Sequence, residues 1–190
     1  MLYAELRPAV FLDRDGTIAR DVPYCRQPED FELFAGTVKS IKTLNELGFQ
    51  VILATNQSGI ARGYFTTEDL TKIHLKLEKE LAAGGAHLDG IYFCPHHPDD
   101  DCECRKPKPG MLLKCANDMN IDLSHSFMIG DSVKDIEAGQ KAGCRSILVS
   151  DKADYVEDTR EIIPDYIARD FPDAVRWLGS HVQNKGKGVL

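Results

Sequence analysis

Short apolar runs alternate along the chain with stretches whose apolar residues recur every three or four positions. Ala9-Val10-Phe11-Leu12 is an apolar run that stops abruptly at Asp13. Val38, Ile41, Leu44 and Leu47 then repeat at three-residue intervals before Gly48, the pattern of an amphipathic helix closed by a glycine. Val51-Ile52-Leu53-Ala54 is a second run, ending at Thr55. Leu70, Ile73, Leu77 and Leu81 predict a second helix, and Thr66-Thr67-Glu68-Asp69 supplies the residue types of its N-terminal cap. Ile91-Tyr92-Phe93 predicts a third strand ending at Cys94, followed by a helix from near Pro109 towards Met119. Phe127-Met128-Ile129-Gly130 ends at Asp131, a helix from about Val133 to Ala142 stops at Gly143, and Ile147-Leu148-Val149 makes a fifth strand. Tyr166-Ile167-Ala168 is a candidate edge strand, and Asp170 a candidate cap for a short helix through Ala174, Val175, Trp177 and Leu178.

The strands are continuously apolar rather than alternating, so both of their faces are expected to be buried. Strand and helix in turn, with strands of that kind, predict a doubly wound parallel α/β sheet with helices on both faces. No repeat or linker breaks the pattern, and one domain over 1–190 is expected, with a mobile Lys/Gly-rich tail from about 184. In such sheets ligands bind beyond the carboxyl ends of the strands. Three of those ends carry Asp13, Thr55 and Asp131, which makes them the first candidate site.

Composition narrows the function. A net charge of −7 argues against a general nucleic-acid binder, which needs a basic face to neutralise phosphates. It leaves room for a small anionic substrate, because a few local cations or a metal ion reverse the sign at one cleft. No run approaches the roughly 20 apolar residues of a spanning helix, and the N-terminal residues lack the basic and apolar regions of a signal peptide. A cytoplasmic, reducing location is therefore expected, and there the 6 cysteines are free or metal-bound rather than paired.

Two clusters carry candidate chemistry. In Asp13-Arg14-Asp15-Gly16-Thr17 the acids lie two apart, so on extended backbone both face the same way. Acids that close repel unless a cation lies between them, and a hard ion such as Mg²⁺ suits an oxygen-only site. The competing reading is a surface Asp-Gly turn. The second cluster, Cys94 to Cys104, holds Cys94, His96, His97, Cys102 and Cys104. Four such ligands close a structural zinc site, with a disulfide at Cys102 or Cys104 as the alternative.

Taken together, these segments resemble the haloacid dehalogenase (HAD) superfamily of phosphohydrolases. Asp13-Arg14-Asp15-Gly16-Thr17 is similar to its first motif, Thr55-Asn56-Gln57-Ser58-Gly59 to its second, Lys106 to its third-motif lysine, and Gly130-Asp131-Ser132-Val133-Lys134-Asp135 to its fourth. Within the superfamily, Thr55 to Gly63, the Cys-Pro-His loop and Cys104 to Met111 resemble the heptose-bisphosphate phosphatases. Histidinol-phosphate phosphatase is the near relative and the rival reading.

The resemblance implies a Rossmann-like, HAD-like fold; much of the family adds a large cap domain, but no long insertion follows the first or second motif here, so no large cap is expected. It also implies a Mg²⁺-dependent phosphatase that removes the C7 phosphate of D-glycero-D-manno-heptose 1,7-bisphosphate through an aspartyl-phosphate, in lipopolysaccharide-core precursor biosynthesis. Asp13 is then the nucleophile and Asp15 the general acid and base, while Thr55 and Lys106 meet the phosphoryl oxygens. Mg²⁺ would be held by Asp13, Asp131 and the backbone carbonyl of Asp15. Asp135 either serves that site, through a metal-bound water or through Lys106, or is a solvated acid in a helix first turn. For zinc the resemblance selects Cys94, His96, Cys102 and Cys104, with His97 competing. Asp21, Tyr24, Asn56, Gln57, Ser58, Arg62, Arg105 and Lys106 are the expected substrate contacts, the arginines for a second phosphate. Ser132 stands where some members carry a lysine, and Lys134 is the candidate replacement. A small phosphorylated sugar is the expected partner, with no nucleic acid, no membrane and a monomeric assembly. A zinc-dependent interaction module is the non-enzymatic alternative.

Overall fold

The computed structural model describes residues 5–150 and 162–186. In chain order the elements are β1 (Ala9–Leu12), α1 (Thr37–Glu46), β2 (Gln50–Asn56), α2 (Thr67–Ala83), β3 (Gly90–Cys94), α3 (Gly110–Met119), β4 (Phe127–Gly130), α4 (Val133–Ala142), β5 (Arg145–Val149), β6 (Tyr166–Ala168) and α5 (Phe171–Gly186). Every element read from the apolar pattern is present. The last helix is longer than expected: residues 184–186, assigned above to a tail, complete α5, and the rest of that tail lies outside the described residues.

The strands form one parallel sheet in the order β3-β2-β1-β4-β5-β6. Side chains two apart on a strand share a face, and β1 therefore splits its apolar run between two cores. Val10 and Leu12 pack with residues of α1, α2 and α5, among them Ile41, Leu77 and Leu178. Ala9 and Phe11 pack on the other side with Met111, Leu112 and Cys115 of α3 and with Ala142 at the end of α4. All four β1 residues are fully buried, as the unbroken apolar run requires.

Caps fix where the helices begin. Thr66 accepts from the Asp69 amide at 3.1 Å while the Asp69 carboxylate accepts from the Thr66 amide at 3.1 Å, a reciprocal pair that uses two of the free N–H groups of α2. Asp170 accepts from the Asp173 amide at 2.7 Å before α5. Between β1 and α1 the chain folds back over the sheet end, with single bridges Asp15–Ala19 and Ala19–Leu33. No large cap is built on it.

The strand order has a topological consequence. The chain steps from β1 outward to β3, then crosses to β4 on the other side of β1. Loops leaving β1 and β4 thus part in opposite directions and open a crevice at their carboxyl ends. Asp13 follows β1 and Asp131 follows β4.

Candidate active site

That crevice is a cleft of about 440 Å³. Of the residues expected from the sequence to form a site, Asp13, Asp15, Asp21, Tyr24, Thr55, Asn56, Gln57, Ser58, Arg105 and Lys106 line it, together with Lys134 and Asp135. Asp131 borders the adjoining cavity beside Gly16 and Thr17. Arg62 is exposed and is not among the residues that line the cleft.

Asp13, Asp131 and Asp135 each present a carboxylate oxygen, and the three oxygens lie within 4.8 Å of one another. One cation is already among them. The Lys106 ammonium donates to Asp13 Oδ1 at 2.7 Å and to the Ala54 carbonyl at 2.7 Å, and pairs with Asp135 Oδ1 at 2.6 Å. Those three contacts use all three of its donors. Burial opposes the charge on Lys106, but the Asp13 and Asp135 carboxylates outweigh it and hold the lysine protonated. Asp135 sits in the first turn of α4 and caps it, accepting from the Ser132 amide at 3.1 Å and hydroxyl at 2.7 Å, but it is buried rather than solvated.

The acids are crowded. Burial pushes Asp13 up to about 7 against the pull of Lys106, with Asp135 adding repulsion. Part of Asp131 reaches solvent, yet its carboxylate packs over Gly16, and this desolvation together with Asp135 raises it to about 6. Two glycines permit the crowding. Gly16 has φ +79, and a Cβ there would stand 2.0 Å from Asp131 Oδ2. A Cβ on Gly130 would stand 2.3 Å from the Asp135 side chain. An oxygen-only cluster of acids that repel when ionised fits a small hard divalent cation.

Asp15 faces the same cleft but belongs to a different network. Arg14, buried between the two acids in sequence, donates from Nε to Asp15 Oδ1 and from Nη2 to Oδ2, both at 2.9 Å. Arg14 Nη2 also donates to Gln57 Oε1 at 3.2 Å. Gln57 Nε2 in turn donates to Asp15 Oδ2 at 3.0 Å and to Thr55 Oγ at 2.9 Å. The Asp15 carboxylate is not one of the three clustered acids. Asn56 exchanges two hydrogen bonds with the Lys106 backbone, donating to its carbonyl at 3.1 Å and accepting from its amide at 3.2 Å. The side-chain amides of Asn56 and Gln57 thus hold the loop and the acid in place, while both residues line the cleft.

Neither the Arg14 fork nor the Asn56 clamp was identified from the sequence. A signal existed for the first: Arg14 lies between two acids just past an apolar strand, and a buried arginine needs a carboxylate.

The cysteine loop forms a second cluster. Cys94, His96, Cys102 and Cys104 converge, with Sγ separations of 3.5 Å for Cys94–Cys102 and 3.6 Å for Cys102–Cys104, and His96 Nδ1 3.2 Å from Cys104 Sγ. Tetrahedral bonds of about 2.3 Å to sulfur imply edges of about 3.8 Å, so the arrangement fits zinc. All three cysteines are free thiols rather than disulfide partners. Burial and the neighbouring thiols push Cys104 up to about 12, so ionising all three requires a cation. His97 points elsewhere: its Nδ1 accepts from the Asp99 amide at 3.3 Å.

The chain resembles known proteins over most of its length. A family model described as HAD-hydrolase-like matches residues 103–174. D-glycero-beta-D-manno-heptose-1,7-bisphosphate 7-phosphatase of Yersinia pestis is 41% identical over 179 residues, covering 89% of this chain and 95% of that protein. D-glycero-D-manno-heptose-1,7-bisphosphate 7-phosphatase of Thermosynechococcus vestitus is 40% identical over 191 residues, covering 93% and 97%. Among solved structures, D,D-heptose 1,7-bisphosphate phosphatase of B. bronchiseptica, complexed with magnesium and phosphate, superposes with a TM-score of 0.81 at 35% identity, covering 92% of this chain and 99% of that one.

The raised acids predict how metal-free protein responds to pH. Asp13 and Asp131 bind protons more tightly folded than unfolded, where their value is near 3.8. Their contribution to stability is therefore complete below about pH 4 and is lost as pH rises through about 6 for Asp131 and about 7 for Asp13. Asp131→Asn removes one of these losses. Urea unfolding in a chelator at pH 5 and pH 8 should show a smaller drop in stability for the variant than for the parent; an equal or larger drop counts against the crowding.

Proposed function

The chain belongs to the heptose-1,7-bisphosphate 7-phosphatase family of HAD-like hydrolases, and from that membership we propose that it removes the C7 phosphate of D-glycero-D-manno-heptose 1,7-bisphosphate. The observation that carries the reading is the floor of the cleft, where the Asp13 carboxylate is paired with Lys106 and grouped with Asp131 and Asp135. A phosphate monoester resists attack because its oxygens are anionic, so a site must neutralise them, supply a nucleophile and protonate the leaving alkoxide.

In the proposal, an Asp13 oxygen attacks phosphorus and forms an aspartyl-phosphate, dividing the reaction into two easier displacements. Asp15 gives its proton to the departing C7 oxygen and later takes one from the water that frees Asp13. Thr55 already accepts from Gln57, which leaves its own hydroxyl hydrogen for a phosphoryl oxygen. Lys106 adds a fixed positive charge beside the nucleophile. Asp13, Asp131 and the Asp15 carbonyl, with Asp135 adjoining, would hold Mg²⁺; when bound, the ion lets an anionic nucleophile approach an anionic ester.

Cys94, His96, Cys102 and Cys104 would hold a structural zinc. Its role is positional, because Arg105 and Lys106 follow Cys104 directly. Asp21, Tyr24 and Ser58 line the cleft where the sugar would lie, and Arg105 and Lys134 are available to the second phosphate. The names of the relatives favour the heptose substrate over histidinol phosphate. The proposal extends to a single domain over 1–190, acting as a monomer in the cytoplasm on heptose precursors of lipopolysaccharide. Among the described residues no helix is long and apolar enough to cross a membrane.

Asp13→Asn should abolish turnover, by about 10³-fold or more, while thermal unfolding stays cooperative; substantial residual phosphatase activity removes Asp13 as the nucleophile. Comparing kcat/KM over both heptose bisphosphate anomers and histidinol phosphate should favour a heptose ester, and preference for histidinol phosphate would overturn the substrate. Stripping zinc, verified by elemental analysis, should lower activity with Mg²⁺ still supplied, and full activity in zinc-free protein would refute the positional role. Sedimentation at assay concentration should give the mass of one chain; a stable dimer would contradict the monomer.

A further inference from the structure

We infer that Arg14 and Gln57 are positioning residues that determine which oxygen of Asp15 handles the proton. The inference rests on the reading of Asp15 as the acid and base, and deepens it. Arg14 is 1% exposed, the largest fully buried side chain in the described protein. Burying a guanidinium is costly unless its partner is fixed. Here its fork takes both oxygens of Asp15, the Phe31 ring lies 5.9 Å from its carbon centre, and its remaining nitrogen, Nη1, has no partner among the described residues.

The consequence follows from counting lone pairs. Each carboxylate oxygen has two in its plane. Asp15 Oδ2 accepts from Arg14 Nη2 and from Gln57 Nε2, so both are occupied. Asp15 Oδ1 accepts from Arg14 Nε alone. The open lone pair is therefore the one on Oδ1 turned away from the guanidinium, and the carboxylate cannot rotate to offer another without breaking the fork. Gln57 adds a second constraint, because the same amide nitrogen binds Thr55 Oγ and so links the phosphoryl donor to the acid. The assignment of its amide is dictated by these partners: flipped, its oxygen would face the Asp15 carboxylate.

In the first half-reaction the bond from phosphorus to the C7 oxygen breaks as the bond to Asp13 forms, and the proton on Asp15 Oδ1 passes to that oxygen to give the alcohol. In the second, water oxygen attacks phosphorus, its proton goes to Asp15 Oδ1, and the bond to Asp13 breaks to release phosphate.

The test compares leaving groups on the metal-loaded enzyme. Nitrophenolate departs from p-nitrophenyl phosphate without needing a proton, whereas the sugar alkoxide needs one. Arg14→Lys keeps the charge but not the fork. It should lower kcat/KM on heptose 1,7-bisphosphate by about 100-fold and on p-nitrophenyl phosphate by no more than about 5-fold, each relative to the parent enzyme. Gln57→Leu leaves the ion pair in place and should show the same asymmetry on a smaller scale; it decides the matter if Arg14→Lys does not fold. Equal losses on both substrates, or none on either, would overturn the inference. Asp15→Asn separates the two levels. If its loss is independent of leaving group, the acid-base reading of Asp15 itself fails. If its loss is asymmetric while those of Arg14→Lys and Gln57→Leu are uniform, only the positioning role fails.

Discussion

The ammonium of Lys106 is the interaction on which the site depends. It bridges Asp13, just after β1, and Asp135, in the first turn of α4, two buried acids more than 100 residues apart in sequence. Without it, the carboxylates at the carboxyl ends of β1 and β4 would repel across a gap too dry to screen them. Removing one partner from such a buried network leaves an unpaired charge, a loss on the order of 3–5 kcal/mol. The local chain is arranged to prevent this. Asn56 binds the Lys106 backbone on both sides, the Ala54 carbonyl takes the third ammonium donor, and the cysteine cluster ends two residues upstream.

Two electrostatic units therefore share one cleft while remaining separate. In the first, three acids and a lysine carry a surplus of negative charge, which a divalent cation would complete. The second pairs Asp15 with Arg14 and is balanced without any ion. Gln57 and Thr55 stand between them. The division suits a reaction in which one carboxylate must approach phosphorus and another must exchange a proton. The segment after β1 produces it: Asp13, Arg14 and Asp15 all line the cleft, Asp13 paired with Lys106 and Asp15 with Arg14.

The fold was legible because its signals are local and redundant. Unbroken apolar runs mark strands buried on two faces, three-residue spacing marks the helices, and Asp or Thr at strand ends marks the crevice. Even the four zinc-type ligands were set apart by their clustering, although the choice of His96 over His97 came from a family pattern and was decided spatially by the turn at Pro98–Asp100, which engages His97. Partners that lie far along the chain were not legible. Asn56 and Gln57 line the cleft, and nothing local showed that their side chains also bind the Lys106 backbone and the Arg14–Asp15 pair, 50 and over 40 residues away in sequence.

By itself, then, the sequence determined the doubly wound sheet, the acids at its carboxyl edge and the ligand-rich loop, since hydrophobic period and residue type act over a few neighbouring positions. Only the tertiary structure decided which acid accompanies which cation, which distant partners the side-chain amides take and which histidine joins the cysteines. Those choices depend on where separate segments meet, and hydrogen-bond geometry is selective over tenths of an ångström, a scale at which spacing along a chain carries no information.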